Sequence, residues 1–227
     1  MGTVGFVNPT KLDHVAYWVT NRDEVADFVT SRFGMHVIDR TDTFTLVGSD
    51  ARRGKLTLFD AEGPRERGAL KHVALRVSSR EAAGLETDCF DVGGEGVRIC
   101  VVEAPTDVEF DLDHVALYSA TPQETAEAYL ALGFEPAEPS ASGAPRVQVG
   151  GAFVELHQGE PGDPEKPLLN HLAVLVDSCD ESIASANDLG VEIDNVVDAP
   201  NTYAVFVWGP EHVRIEYVEH KPTFSLV

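Results

Sequence analysis

The sequence predicts an α+β fold of four related units, each a strand, a helix and further strands, in two homologous domains covering residues 1–105 and 106–227. A repeated pentapeptide, a periodicity that switches between helix and strand, and glycines at the switches predict it. Leu12-Asp13-His14-Val15-Ala16 returns as Leu112-Asp113-His114-Val115-Ala116, five identities in a row that chance does not readily supply. Lys71-His72-Val73-Ala74-Leu75-Arg76-Val77 resembles Asn170-His171-Leu172-Ala173-Val174-Leu175-Val176. Val97-Arg98-Ile99-Cys100 likewise resembles Val213-Arg214-Ile215-Glu216.

Each half begins with an apolar strand bearing a histidine. A helical stretch follows, over 22–33 in the first half and 121–132 in the second. Gly34 and Gly133 stop these helices. Short alternating runs at 44–48, 55–59, 146–150 and 153–157, with turn residues between them, read as antiparallel strands. The order restarts at Lys71 and at Asn170, with helices expected over 80–87 and 181–189. The halves part near Pro105-Thr106-Asp107, where a proline and polar residues separate two apolar strands.

Composition bounds the partners. With 17 Lys+Arg against 38 Asp+Glu, a formal charge of −21 would repel nucleic-acid phosphates and anionic lipids, so neither is expected to bind. The acidity is spread along the chain, as suits a solvated surface. No apolar run approaches the roughly 18 residues that cross a bilayer, and residues 1–14 lack a basic segment leading into an apolar one. Cytoplasmic residence is the expectation. Cys89, Cys100 and Cys179 are an odd number at no metal-like spacing, so reduced, free thiols are expected.

Two imidazoles and a carboxylate converging from different strands suit iron, manganese, zinc or nickel. The second half can supply them. His114 opens one strand, His171 opens another, and Glu216 sits in the last, where alternation puts Arg214, Glu216 and Val218 on one face. Singly, each reads as a core histidine or an exposed carboxylate. At matched positions of a repeat they read as a divalent-metal site. In the first half His14 and His72 persist, but Cys100 stands for Glu216 and Leu58 for Glu155, so that half reads as a decayed copy.

These histidines, with the turn and final strand Trp208-Gly209-Pro210-Glu211-His212-Val213-Arg214-Ile215-Glu216, resemble the vicinal oxygen chelate superfamily, which includes glyoxalase I, extradiol ring-cleaving dioxygenases, epimerases and drug-resistance proteins. The resemblance covers nearly the whole chain. It implies four βαβββ modules paired into two cupped, mainly antiparallel sheets with helices outside. It also implies a metal that chelates two adjacent oxygens of a small molecule, and homodimers are common in the superfamily.

Three functions follow from that resemblance. The first is an extradiol dioxygenase-like enzyme holding Fe(II) through His114, His171 and Glu216 and cleaving a catechol-type aromatic with O2. His157 is then the candidate acid/base. Such enzymes usually carry a tyrosine and a histidine where this chain has Phe206 and Val197, and Tyr203 is the nearest substitute. The second is a glyoxalase- or epimerase-like lyase or isomerase, with Glu155 as fourth ligand to zinc or nickel and an oxygenated metabolite as substrate. The third is a protein that binds a small molecule without catalysis, walled by Phe153, Tyr203, Phe206 and Trp208.

Overall fold

In the computed structural model, which describes residues 5–227, the strand runs expected near residues 44, 55, 146 and 153 all form. The first module supplies β1 (Lys11–Val19), α1 (Arg22–Phe33), β2 (His36–Arg40), β3 (Phe44–Gly48) and β4 (Lys55–Asp60). The second supplies β5 (Leu70–Val77), β6 (Cys89–Val92) and β7 (Val97–Glu103). The third gives β8 (Asp111–Ser119), α2 (Pro122–Ala131), β9 (Glu135–Pro136), β10 (Arg146–Val149) and β11 (Ala152–Gln158). The fourth gives β12 (Leu169–Leu175), α3 (Cys179–Leu189), β13 (Ile193–Asp198), β14 (Thr202–Trp208) and β15 (Arg214–His220).

Local chemistry sets the helix ends. The Asn21 side chain accepts from the Glu24 N–H and caps α1, and Gly34 closes it in the left-handed conformation at φ 68°. Ser178 and Gly190 do the same for α3. Gly133, at φ 88° after α2, has a second reason to lack a side chain, since a Cβ there would meet the Val7 carbonyl oxygen at 2.3 Å. The helix expected over 80–87 does not form. Gly84 turns left-handed at φ 65° in the middle of the run, and the segment becomes successive turns closed by Ala83 N–H to Ser79 O and Leu85 N–H to Arg80 O.

Hydrogen bonding gathers the strands into two sheets with an unexpected partnership. One sheet has eight strands in the order β13-β14-β15-β12-β1-β4-β3-β2, and the other has seven in the order β6-β7-β5-β8-β11-β10-β9. The first module therefore pairs with the fourth, through antiparallel β1 and β12, and the second with the third, through antiparallel β5 and β8. The sequence halves 1–105 and 106–227 are thus not the two sheets. A short link, residues 104–110, carries the chain from β7 directly into the same sheet at β8, while the first module closes with the last.

Alternation splits each strand between two environments. Val15 and Tyr17 of β1, Val115 and Leu117 of β8, Leu172 of β12 and Ile215 of β15 are fully buried in one continuous core. The opposite faces curve into cups. Cys89 and Cys100 form a disulfide, contrary to the free thiols expected, because the antiparallel register of β6 and β7 sets them directly opposite each other. Cys179 is free and buried.

Candidate metal centre

The cup of the eight-stranded sheet brings together His14 of β1, His171 of β12 and Glu216 of β15. One donor atom from each lies within 4.8 Å of the others, a grouping met once among the described residues. His14 Nε2 and His171 Nε2 are 3.0 Å apart. Glu216 Oε2 stands 3.2 Å from the first and 3.0 Å from the second.

Two irregularities in the β1–β12 ladder aim the imidazoles. The register slips between Leu12 and His14 and again between Ala16 and Tyr17, leaving Asp13 and Asn170 as extra residues beside the two histidines. Asp13 Oδ2 accepts from His14 Nδ1 at 2.9 Å, and Asn170 Oδ1 accepts from His171 Nδ1 at 2.9 Å. With both Nδ1 protons committed, two Nε2 lone pairs and a carboxylate face one another in a buried space. A positive charge among the three, either a proton on His14 Nε2 or a metal ion, relieves the repulsion, and two imidazole nitrogens with one carboxylate are a donor set that fits a divalent metal.

The electrostatics agree. Burial opposes charge on His14, but hydrogen bonds to Asp13 and Glu216 outweigh it and raise the pKa above the ordinary value. Burial alone would raise Glu216, yet His171 and His14 hold it far below the usual carboxylate range. His171 is pushed down, chiefly by burial. Asp13 is buried and also touches Lys55 Nζ at 2.7 Å and His220 Nε2 at 3.2 Å. Lys55 holds its carboxyl low against the opposing effect of burial.

Around this group lies a cavity of about 640 Å³, walled by Trp18, Phe44, Leu46, Phe59, Phe206 and Val218. The Phe206 ring meets the edge of His171 at 5.2 Å between centroids, and the Arg214 guanidinium covers Phe206 at 4.1 Å. His220 and Phe224 of the C-terminal segment close one side, their rings stacked at 4.2 Å.

The residues expected to form one site divide between two cups. His171 and Glu216 stand together, but their partner is His14. His114, Glu155 and His157 lie in the seven-stranded sheet, because β8 and β11 pair there with each other and with β5. There His114 Nε2 is 3.0 Å from His72 Nε2 and 3.8 Å from Glu155 Oε2, and His157 Nε2 is 3.4 Å from Glu155 Oε2. Tyr203 turns away from the cup and bonds Asp180 Oδ1 through its hydroxyl. Glu155 pairs with Ala116 as Thr57 pairs with Ala16, so Thr57 is its counterpart and Leu58, fully buried, faces the core. Asp13, Lys55, Asn170 and His220 were missed as site residues. The Asp-His doublet within the pentapeptide was the signal for the first of them.

Residues 11–98 match the family model described as the Glyoxalase/Bleomycin resistance protein/Dioxygenase superfamily. No curated protein sequence matches the chain. Among solved structures, a putative dioxygenase from Bacillus subtilis subsp. subtilis str. 168 superposes with a TM-score of 0.74 at 15% identity, over 96% of this chain and 87% of that one. Glyoxalase I from Zea mays gives 0.66 at 15% identity over 92% of each chain. The cppA protein from Streptococcus pneumoniae TIGR4 gives 0.60 at 15% identity, over 94% of this chain and 99% of that one. At such identities the likeness is one of fold. Over nearly its whole length the chain thus shares the fold of these solved structures, and residues 11–98 match the Glyoxalase/Bleomycin resistance protein/Dioxygenase superfamily model.

Proposed function

We propose that the chain is an extradiol dioxygenase-like enzyme that holds iron(II) through His14, His171 and Glu216 and acts with O2 on a small catechol-type aromatic. The observation that carries this reading is a three-donor set to which the described residues add no fourth donor. Thr57 occupies the position from which a fourth carboxylate would reach, so one side of the donor group is left to ligands from the cavity. Bound there, iron(II) supplies the redox chemistry of ring cleavage.

The chain's own residues do the rest. Asp13 and Asn170 hold the imidazoles in the tautomer that presents Nε2. Phe44, Phe59 and Phe206 offer flat apolar walls for an aromatic ring and exclude water. His220, on the cavity wall and beside Asp13, takes the proton-carrying role expected of His157, which lies in the other cup.

A glyoxalase- or epimerase-like reading with zinc or nickel called for Glu155 as a fourth ligand, and that carboxylate belongs to a different sheet from His171 and Glu216. Metal analysis of protein purified without oxygen, followed by oxygen-uptake assays over a panel of catechols, tests the proposal. Iron near one equivalent together with substrate-dependent uptake is the expected result. Tightly held zinc or nickel without uptake sinks it in favour of the lyase or isomerase reading, and ligand binding with no turnover points to a binding protein.

A further inference from the structure

The cavity of the eight-stranded cup is larger than a bare diol ring needs. It encloses about 640 Å³, whereas about 150 Å³ accommodates a benzene-sized ring. Hydrocarbon walls much of the surplus. Phe44 and Leu46 lie on β3, two strands from β1, and Phe224 and Leu226 of the C-terminal segment add to the same wall.

The basic groups of this lining are already matched. Lys55 and Arg214 are its two Lys or Arg side chains. Lys55 Nζ bonds Asp13 Oδ2 at 2.7 Å, and Arg214 Nε bonds Asp194 Oδ2 at 2.7 Å. Arg52 and Arg65 stack on the rings of Phe224 and Trp18 and do not themselves line the cavity. What remains is acid. Glu216 stands among the donors, and Asp39 on β2 is a carboxylate with which neither basic side chain of the lining pairs. A divalent ion would balance these two and leave no positive charge for a third carboxylate.

We infer that the cavity selects catechols whose substituent is uncharged and apolar and excludes those that carry a carboxylate, a selection that rests on the catechol reading above and names the substituent. A carboxylate moved in among Phe44, Leu46 and Phe59 gives up its water and gains no cation, so its desolvation goes unrepaid. Asp39 adds repulsion between like charges, which an apolar surround screens poorly. An alkyl or aryl group in the same place gains from every part of its surface that leaves water. Arg214 is the side chain best suited to hold an anion, and Asp194 already occupies it.

Two catechols of nearly equal size, 4-isopropylcatechol and 3,4-dihydroxybenzoate, test the selection by calorimetry on iron(II)-loaded protein under nitrogen, where binding is read without turnover. The isopropyl compound should bind about tenfold tighter or more. Equal affinity, or a preference for the carboxylate, overturns the inference while leaving the catechol reading in place. Asp194→Asn frees the Arg214 guanidinium and should narrow the gap to a few-fold, and a gap as wide as before would remove charge as its cause. If neither diol binds, the catechol reading has failed, and the exclusion of anions is then read with N-phenyl-1-naphthylamine and its 8-sulfonate, dyes with the same rings that need no metal. Their emission is excited by energy transfer from tryptophan, and the part that Trp18→Phe removes reports the cavity. The neutral dye should again bind about tenfold tighter or more, and equal binding of the two overturns the inference.

Discussion

His14 Nε2 and His171 Nε2 stand 3.0 Å apart although 157 residues separate them, because β1 and β12 are antiparallel neighbours in the eight-stranded sheet. The candidate metal centre is therefore shared between the first and last modules. His14→Ala and His171→Ala should each abolish tight metal binding in that cup, and Glu216→Gln should weaken it at least tenfold. His114→Ala should leave it intact, since His114 belongs to the other sheet. Metal content after desalting in a metal-free buffer measures this. Loss in His114→Ala with retention in His14→Ala would restore the pairing of His114 with His171.

The modules, the strands and the donor types were legible because a repeat preserves positions. Leu12 to Ala16 and Leu112 to Ala116 do occupy equivalent places, and Cys100 is the counterpart of Glu216. What the repeat could not convey is which copy faces which. His14 and His114 sit in identical pentapeptides, so no local feature says that the first pairs with β12 and the second with β5. Proximity along the chain favoured pairing within each half, and tertiary closure of the first strand on the last module decided otherwise. Matching Glu155 to Leu58 failed for a smaller reason. A slip of one residue along a strand exchanges its faces, turning a cup position into a core one. The disulfide was equally hidden, since only the β6–β7 register makes Cys89 and Cys100 neighbours.

Lys55 and Asp13 form a buried ion pair at 2.7 Å, and the same carboxylate orients His14. Lys55→Met leaves Asp13 charged and buried with fewer partners, which costs about 3 kcal/mol when one member of such a pair is removed. Freed from Lys55, Asp13 also orients the imidazole less firmly, and metal affinity should fall by about 10-fold or more, as for other groups that support a ligand from behind. Urea unfolding and competitive chelator titration separate the two effects. An unchanged metal affinity in a destabilised variant would confine Lys55 to a packing role.

Burial, and then the charge of His114, push the His72 pKa down to about 3 from an ordinary value of 6.5. Between those pH values the unfolded chain binds a proton that the folded chain refuses, so stability falls as pH drops through this window. His171 acts in the same direction, whereas His14, raised above its ordinary value, contributes stability at low pH that is lost on the alkaline side. Unfolding midpoints in chelator from pH 7.5 to 4.5 should therefore decline, and His72→Asn should flatten the decline. Parallel slopes for the two proteins would remove His72 from the acid limb.

Tyr217 ties the eight-stranded sheet to the third module. Its hydroxyl donates to the Leu132 carbonyl at 2.7 Å just past the end of α2, and its ring meets Phe6 at 4.6 Å between centroids. The side chain is fully buried, so no water replaces the lost donor in Tyr217→Phe, and the carbonyl is left without it. The cost should be about 1–2 kcal/mol, the usual range for a buried acceptor deprived of its hydrogen bond. Tyr217 faces the core and not the cup, so metal content and any oxygen uptake should stay at the unmodified level while the urea midpoint drops. A variant as stable as the unmodified protein would mean that the hydroxyl does not hold α2 to β15.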